Sequence, residues 1–213
     1  IAMKRILLFG ASGFLGQSVV EKLLKNGHQL TALSRTGDFS NQERFDPRVH
    51  WMQGDLYQTQ DWQDLLNSHD IVIDLVGIVK EVPEQGLTYE KVIVAAAKTI
   101  ADTMEGRPDH HLIFVSTNLS STSTPKAYRM AKKEAEDYIL GKDFQSSIVR
   151  PSFMYGERKA GSTEMAEKIL SKLDPASPDW KNRPIQVGQV AETISKIVHG
   201  QTTKVIHENG EMA

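Results

Sequence analysis

The chain has 213 residues, of which 39% are hydrophobic and 24% are charged. These proportions are ordinary for a globular protein, and the length fits one compact domain with a buried core. The formal net charge of -2 provides no basic field that would draw the chain to nucleic acid or to an anionic membrane. The chain has no Cys, which excludes disulfide bonds, thiolate metal ligands and Cys nucleophiles.

Targeting and membrane segments are not indicated by the sequence. No apolar run approaches the ~18 residues of a membrane-spanning helix, and no signal-like segment begins the chain. Because Ile1 and Ala2 precede Met3, we expect the native chain to begin at Met3. We therefore expect a cytoplasmic protein without nucleic-acid or membrane-spanning partners.

Short apolar runs alternate along the chain with longer segments of helical period. The runs that predict strands are "KRILLFG", "HQLTALSR", "RVHWMQGD", "DIVIDLVG", "HHLIFVST" and "FQSSIVRP". Helices are predicted at residues 14–25, in "DWQDLLNS", at residues 89–104 and in "AYRMAKKEAEDYIL". After residue 150 the pattern weakens to helices in "STEMAEKILSKL" and "VGQVAETISKIVHG" and short strands in "RPIQV" and "TKVIHE". Repeated βα units predict an α/β fold with a parallel sheet.

The segment "GASGFLG" lies between the first predicted strand and the first predicted helix. Gly10 permits a tight turn, Gly13 lets the backbone approach a pyrophosphate, and Gly16 allows the helix to pack closely on the strand. The helix N-terminus offers free N–H groups and the positive end of its dipole to phosphates. The segment therefore predicts a dinucleotide-binding turn, against the alternative of a glycine-rich turn that binds nothing. The predicted contacts are Gly10, Ser12, Gly13, Phe14, Leu15 and Gly16.

The spacing GxxGxxG after an N-terminal strand resembles the short-chain dehydrogenase/reductase superfamily, in its extended or atypical, epimerase-like branch. The resemblance runs from about residue 4 to residue 198. It implies a Rossmann-type, doubly wound parallel sheet with a small C-terminal substrate lobe. On this basis residues 3–150 form the NAD(P)-binding domain, and residues 151–213 form a reduced substrate lobe packed on the same domain.

The end of the second predicted strand, "LSRTG", indicates which dinucleotide is bound. Ser34 and Arg35 stand there, and no acidic residue occurs before Asp38. An acid at this place would bind the ribose hydroxyls of NAD(H), whereas a guanidinium suits a 2′-phosphate. The sequence therefore favours NADP(H) over NAD(H). The alternative is that Arg35 is a solvated strand-end charge that stacks on adenine.

Three further segments match the family along the cofactor. Asp55 and Leu56 resemble the contact on the adenine side, although Asp55 is equally suited to cap a helix. Val76 and Gly77, in "LVG", correspond to the backbone that passes the cofactor ribose. In "RPSFMYGER" the resemblance implies that the backbone of residues 151–153, from Pro151 to Phe153, flanks the nicotinamide.

Tyr128 and Lys132, in "YRMAK", are the candidate catalytic pair. Residues four apart on a helix share one face, so both side chains can point into one cleft. A phenol with a pKa near ~10 is a poor base at neutral pH, and a neighbouring ammonium would lower that pKa. Lys132 is also expected to bind the nicotinamide ribose. The hydroxyl that holds the substrate oxygen is expected from Thr117 first and from Ser116 as the second candidate. The alternative for the pair is an ordinary helix surface.

Together these residues predict an NADP(H)-dependent oxidoreductase or epimerase-like enzyme that acts on a small carbonyl or sugar-nucleotide-type substrate. Extended members of the superfamily carry a larger C-terminal substrate domain, and only some sixty residues follow Pro151 here. A non-catalytic NADP(H)-binding sensor or assembly factor, and a quinone or flavin reductase-like protein, are therefore kept as alternatives.

The last two expectations concern metal binding and assembly. His110 and His111 are adjacent on a predicted strand and face opposite sides, so no metal site is expected. The sequence does not decide the oligomeric state. Helices of such folds often pair, so a homodimer is one alternative.

Overall fold

The computed structural model describes residues 2–213, and Ile1 lies outside the described residues. The strands are β1 (Arg5–Phe9), β2 (Gln29–Ser34), β3 (His50–Gln53), β4 (Ile71–Asp74), β5 (His111–Val115), β6 (Gln145–Arg150), β7 (Met154–Tyr155), β8 (Ile185–Gln186) and β9 (Ile206–Glu208). The helices are α1 (Phe14–Lys25), α2 (Ala96–Met104), α3 (Lys126–Leu140), α4 (Ser162–Leu170), α5 (Val187–Val198) and α6 (Asn209–Met212). A π-helical segment, Glu90–Ala95, leads directly into α2.

The main sheet has seven strands in the order β3-β2-β1-β4-β5-β6-β9, and all of its pairs are parallel. The direction of winding reverses between β1 and β4, and the crevice at the carboxyl ends of these strands is where such sheets bind ligands. The backbone N–H of Leu75, just after β4, donates to the carbonyl of Phe9 at 2.9 Å. The predicted doubly wound parallel sheet is confirmed.

Alternating residues of β1 enter two separate apolar layers. Ile6 and Leu8 pack into the layer formed with α1 and α5, whereas Leu7 and Phe9 pack into the layer formed with α2 and α3. All four side chains are at most 1% exposed. Helices therefore cover both faces of the sheet, which is why its central strands are continuous apolar runs in the sequence.

The second predicted helix differs in form from the expectation. The segment "DWQDLLNS" forms short 3-10 turns, at Thr59–Asp61 and Gln63–Asn67, in place of an α-helix. Trp62 explains this local form, because its ring is buried edge-on against Phe9 at 4.8 Å and its Nε1 donates to the Leu56 carbonyl at 2.9 Å. These tertiary contacts fix the chain more strongly than helical propensity does.

The segment after residue 150 contributes to the main sheet as well as to a small addition. Strand β9 pairs with β6, and α5 packs along α1. Strands β7 and β8 form a separate two-stranded sheet. The division into residues 3–150 and 151–213 stays a prediction. Across residues 2–213, no helix is both long enough and apolar enough to cross a bilayer.

Candidate functional site

The glycine turn after β1 has a backbone that requires its glycines at two positions. Gly10 has a φ of 82°, and a Cβ there would lie 2.8 Å from the Leu75 carbonyl carbon. A Cβ on Gly16 would lie 2.5 Å from the Ala11 carbonyl group. The backbone at Gly10 thus lies against the end of β4, and α1 lies against the turn, too closely for a side chain at either glycine.

Helix α1 begins without a side-chain cap. Its N-cap residue is Gly13, and its first turn contains no acidic residue. The first N–H groups of a helix have no partner inside the helix. Here they stay available to an anion, and the helix dipole adds positive potential. The start of α1 therefore fits the pyrophosphate of a dinucleotide.

A cleft of about 890 Å³ opens at this edge of the sheet, beside the glycine turn. Its wall brings together turn residues from the ends of β1, β2, β3 and β4. The predicted cofactor contacts that line it are Gly10, Ser12, Ser34, Arg35, Asp55, Leu56, Val76 and Gly77. The other predicted contacts, which lie outside this lining, are Gly13, Phe14, Leu15, Gly16, Lys132, Pro151 and Phe153.

Arg44 is a cleft residue that the sequence analysis missed. Its Nε lies 3.5 Å from the Ser12 carbonyl, and its guanidinium lies 5.6 Å from the centroid of the Phe45 ring. Arg35 lines the same cleft and is exposed. Arg44 belongs to an irregular loop without periodic pattern, so only the tertiary structure brings it to the cleft.

Asp55 uses part of its carboxylate within its own loop. Its Oδ1 accepts the backbone N–H of Tyr57 at 2.9 Å, and its own N–H donates to Asp61 at 2.9 Å. The residue thus stabilises a turn, as the alternative interpretation of Asp55 proposed, and it still lines the cleft. Its contact with adenine stays a prediction.

Tyr128 and Lys132 lie on α3 and are both buried, at 9% and 3% exposure. The Lys132 ammonium donates to the Val115 carbonyl at 2.9 Å. A Cβ on Gly77 would lie 3.2 Å from Lys132 Nζ, so this ammonium touches the cleft wall from behind. The pair therefore packs inside the molecule beside the cleft and does not form an exposed helix surface.

Burial raises the pKa of Tyr128, whereas its hydrogen bond with Thr117 lowers that pKa and Tyr89 raises it further. Lys132 is not among the groups that shift the pKa of Tyr128 here, and its expected role in lowering that pKa stays a prediction. Its Nζ lies 5.9 Å from the centroid of the Tyr128 ring and is turned toward Val115. At neutral pH the Tyr128 phenol is therefore protonated.

Tyr89 covers Tyr128 from the segment that follows β4. The two ring centroids are 5.7 Å apart, and the Tyr89 hydroxyl donates to the Val79 carbonyl at 2.6 Å. Tyr89 immediately precedes the π-helical segment. Segments of this kind often occur at functional sites. Tyr89 was not recognisable as a site residue from the sequence, because its place beside Tyr128 depends on packing between distant segments.

The two hydroxyl residues after β5 have different surroundings. Ser116 donates to Glu136 at 2.6 Å, and the fully buried Glu136 is paired with Arg150. Arg150 also pairs with Glu208 at 2.7 Å, so this network ties together β5, α3, β6 and β9. Thr117, not Ser116, lies beside the Tyr128 hydroxyl.

Asp74 is a second residue that the sequence analysis missed. It ends β4, is 1% exposed, and its Oδ1 accepts the backbone N–H of Val76 at 3.0 Å. Burial raises its pKa to about 6, and burial lowers the pKa of Lys132 to about 8. An acidic residue inside the apolar run "DIVIDLVG" was the available signal, since buried carboxylates are rare without a partner.

His110 and His111, the adjacent histidines considered above as metal ligands, make hydrogen bonds within the protein. His110 Nε2 lies 2.7 Å from the Leu66 carbonyl, and His111 Nε2 lies 2.8 Å from Ser147 Oγ. Within residues 2–213, no three His, Asp or Glu side chains are grouped so that they could hold a metal ion.

The reversal point, the uncapped helix start and the cleft define a dinucleotide-binding α/β protein. The family model described as NAD(P)H-binding matches residues 10–201, and the chain belongs to that family. The fold is also that of solved sugar-nucleotide epimerases. The UDP-glucuronic acid 4-epimerase from Bacillus cereus, solved in complex with NAD, superposes with a TM-score of 0.69 at 17% identity, covering 94% of this chain and 75% of that one. The predicted resemblance to the epimerase-like branch is confirmed at the level of the fold.

Curated relatives are longer than this chain. An uncharacterized chloroplastic protein of Arabidopsis thaliana is 26% identical over 174 residues, which are 81% of this chain and 58% of that protein. The mitochondrial NADH-ubiquinone oxidoreductase 40 kDa subunit of Neurospora crassa is 22% identical over 206 residues, which are 92% of this chain and 52% of that protein. The chain thus spans little more than half the length of these two relatives.

Proposed function

We propose that the protein is an NADP(H)-dependent oxidoreductase or epimerase-like enzyme acting on a small carbonyl or sugar-nucleotide-type substrate. The observation that carries this proposal is the buried pair of Tyr128 and Thr117, with Lys132 against the cleft wall at Gly77. A phenol, a hydroxyl and an ammonium gathered beside a dinucleotide cleft suit proton transfer at a substrate oxygen.

The cofactor would be held by groups from several elements. The glycine turn and the start of α1 bind the pyrophosphate, and Arg35 and Arg44 bind the 2′-phosphate. Lys132 binds the nicotinamide ribose from behind Gly77. When bound, the nicotinamide donates or accepts a hydride, which is the redox chemistry that the side chains cannot provide.

The side chains near Tyr128 act on the substrate oxygen. Because burial raises the pKa of Tyr128, its phenol is protonated at neutral pH and acts as a proton donor to a carbonyl oxygen. The Thr117 hydroxyl, which acts on the pKa of that phenol, would orient the same oxygen. This arrangement favours carbonyl reduction over alcohol oxidation at neutral pH.

The test compares Tyr128→Phe with Tyr138→Phe. Tyr138 lies on the same helix, and its hydroxyl donates to Asp102 at the surface, so it is a matched control. After a carbonyl panel has identified a substrate, we expect Tyr128→Phe to lower kcat by roughly 10²- to 10⁴-fold with little change in NADPH affinity. Tyr138→Phe is expected to keep kcat within about twofold. Undiminished kcat in Tyr128→Phe would refute the proposed role.

A second candidate function is an NADP(H)-binding sensor or assembly factor. Two observations favour it: Tyr89 covers Tyr128, and a relative is a subunit of a larger complex. NADPH binding without consumption by the wild-type protein, together with a stoichiometric partner recovered by pull-down, would support this candidate. NADPH consumption that needs a quinone or flavin acceptor would instead support the reductase-like alternative.

A further inference from the structure

The oppositely charged side chains of Asp74 and Lys132 are both buried near the turn that follows β4, behind the cleft. Asp74 pairs in register with Phe114 of the neighbouring strand, and Lys132 donates to the next carbonyl, that of Val115, at 2.9 Å. Lys132 Nζ also lies 5.1 Å from the centroid of the Phe114 ring. The Asp74 carboxylate accepts a hydrogen bond from the backbone N–H of Val76. Lys132 Nζ faces Gly77, the residue directly after Val76. The two charges therefore flank the turn at residues 74–77.

We infer that Asp74 is a positioning residue, whose buried carboxylate at the turn of residues 74–77 keeps Lys132 charged where its ammonium meets the cleft wall at Gly77. For the role of Lys132 in turnover this inference rests on the proposed function. The electrostatic link itself concerns only this chain. Opposite charges stabilise one another's ionised forms strongly where water is excluded.

Glu136 is the other carboxylate that acts on Lys132, and its position explains why Asp74 matters more. Glu136 lies one turn further along α3 and is already bonded to Ser116 and Arg150. Asp74 raises the pKa of Lys132 more than Glu136 does. An arginine therefore offsets the charge of Glu136, whereas Asp74 has Lys132 as its cationic neighbour.

The remaining titratable groups around the pair are tyrosines. Tyr128 shares α3 with Lys132 and is covered by Tyr89. Tyr57, from the loop after β3, has its pKa raised by burial and then by Asp74. Protonated phenols carry no charge at neutral pH, so these groups leave the pair of Asp74 and Lys132 intact.

The pH range of the pair follows from the two shifts. Burial raises the pKa of Asp74 to about 6 and lowers that of Lys132 to about 8. Both groups are ionised between these values. Below that range Asp74 gains a proton and its pull on the ammonium is lost, and above it Lys132 becomes neutral. Removing the charge of Asp74 therefore lowers the pKa of Lys132 further.

The test is a titration of the full chain, without cofactor, by NMR of ¹³C-labelled lysine, with the Lys132 signal assigned from Lys132→Gln. In the Asp74→Asn variant we expect the Lys132 titration to move down by about one unit or more. The matched control is Asp70→Asn, an exposed residue immediately before the same strand, which should leave the titration unchanged. An unchanged titration in a folded Asp74→Asn variant would overturn the inference.

The wild-type protein supplies a second readout if Asp74→Asn does not fold. The Lys132 signal should then show a separate inflection near pH 6, where Asp74 loses its proton. Absence of this inflection would equally contradict the link. Asp74→Glu, which keeps the carboxylate, should restore a titration close to that of the wild type.

Turnover separates the inference from the proposed function. With an identified substrate, Asp74→Asn should lower kcat about fivefold at pH 8 and much less at pH 6, because fewer Lys132 side chains are charged at the higher pH. A shifted lysine titration without any turnover would support the inference and refute the enzyme. Turnover with an unshifted titration would do the reverse.

Discussion

Two arginines line the end of the cleft beside the loop between β2 and β3, and the proposed preference for NADP(H) depends on them. Arg35 and Arg44 both line this end and come from separate segments. No acidic side chain occupies the end of β2, where a carboxylate would repel a 2′-phosphate. Arg35, directly after β2, was recognisable from the sequence, whereas Arg44 reaches the cleft only because the loop before β3 folds back over Ser12.

Arg35→Ser and Arg44→Ser should each weaken NADPH binding by roughly ten- to hundredfold, because a charge-assisted hydrogen bond contributes about 1.5–3 kcal/mol. The affinity for NADH should change by less than about threefold in both variants, since NADH lacks the 2′-phosphate. Calorimetric titration of both cofactors measures these effects.

The matched control for the arginines is Arg48→Ser. Arg48 lies in the same loop, but it pairs with Asp46 at 2.8 Å and does not line the cleft. Its replacement should leave both affinities unchanged. Equal losses for NADH and NADPH in the two cleft variants would contradict recognition of a 2′-phosphate by Arg35 and Arg44.

Within the glycine turn and the start of α1, we expect one glycine to matter for cofactor binding and another for the stability of the fold. Gly13 has a φ of -75°, and the nearest atom to an added Cβ is the Gly10 carbonyl oxygen, at 3.4 Å. An added Cβ on Gly16 meets the Ala11 backbone at 2.5 Å. We expect Gly13→Ala to keep the thermal midpoint but to weaken cofactor binding by about tenfold or more, which is about 1.4 kcal/mol.

Gly16→Ala is expected to destabilise the free protein by roughly 1–3 kcal/mol, because backbone cannot move away as a flexible side chain can. Gly188→Ala is the control, since its added Cβ meets nothing within 4 Å in α5, and it should stabilise by about 0.5–1 kcal/mol. Urea unfolding and cofactor titration provide the two readouts. Normal cofactor affinity in Gly13→Ala would argue against a pyrophosphate at this turn.

The sequence predicts elements well where one segment determines them. The buried runs of β1 and β4 and the glycines between β1 and α1 are local patterns, and the structure has them as expected. The π-helical segment before α2 and the 3-10 turns around Trp62 are not predictable from their own sequence, because packing against other segments determines their form. The helical spacing of Tyr128 and Lys132 and the acid inside the apolar run of β4 were readable, whereas the placement of Asp74 near Lys132 was not, since strand and helix meet only in the fold.

At the scale of the whole molecule, buried polar networks join the end of the chain to the sheet. Arg150 on β6 contacts Glu136 on α3 and Glu208 on β9. Asn118, after β5, donates to Ser152 and to Asn182 at 2.7 and 2.8 Å. The segment after residue 150 is thereby fixed beside Asn118, the residue that follows Thr117.

Buried histidines make the fold sensitive to acid. Burial lowers the pKa of a group of histidines in four different parts of the fold: His28, His69, His111 and His207. The largest of these shifts takes the pKa of His111, at the start of β5, to about 4. As the pH falls, His111 therefore binds a proton in the unfolded chain before it does so in the folded chain. The stability that the neutral side chain contributes is complete above pH 6.5 and is lost as the pH falls toward 4.

His111→Gln should therefore remove part of the acid sensitivity. From its shift, His111 accounts for about 2 kcal/mol of the unfolding free energy lost between pH 7 and pH 5. Asp74 affects the pH dependence of stability in the opposite sense, because its raised pKa contributes stability that is lost as the pH rises through 6. The unfolding free energies of the variants and the wild type are therefore compared at each pH. Urea unfolding of His111→Gln should show a smaller loss than the wild type, whereas the exposed His50→Gln should match the wild type. Equal losses in all three proteins would show that His111 takes up its proton without unfolding.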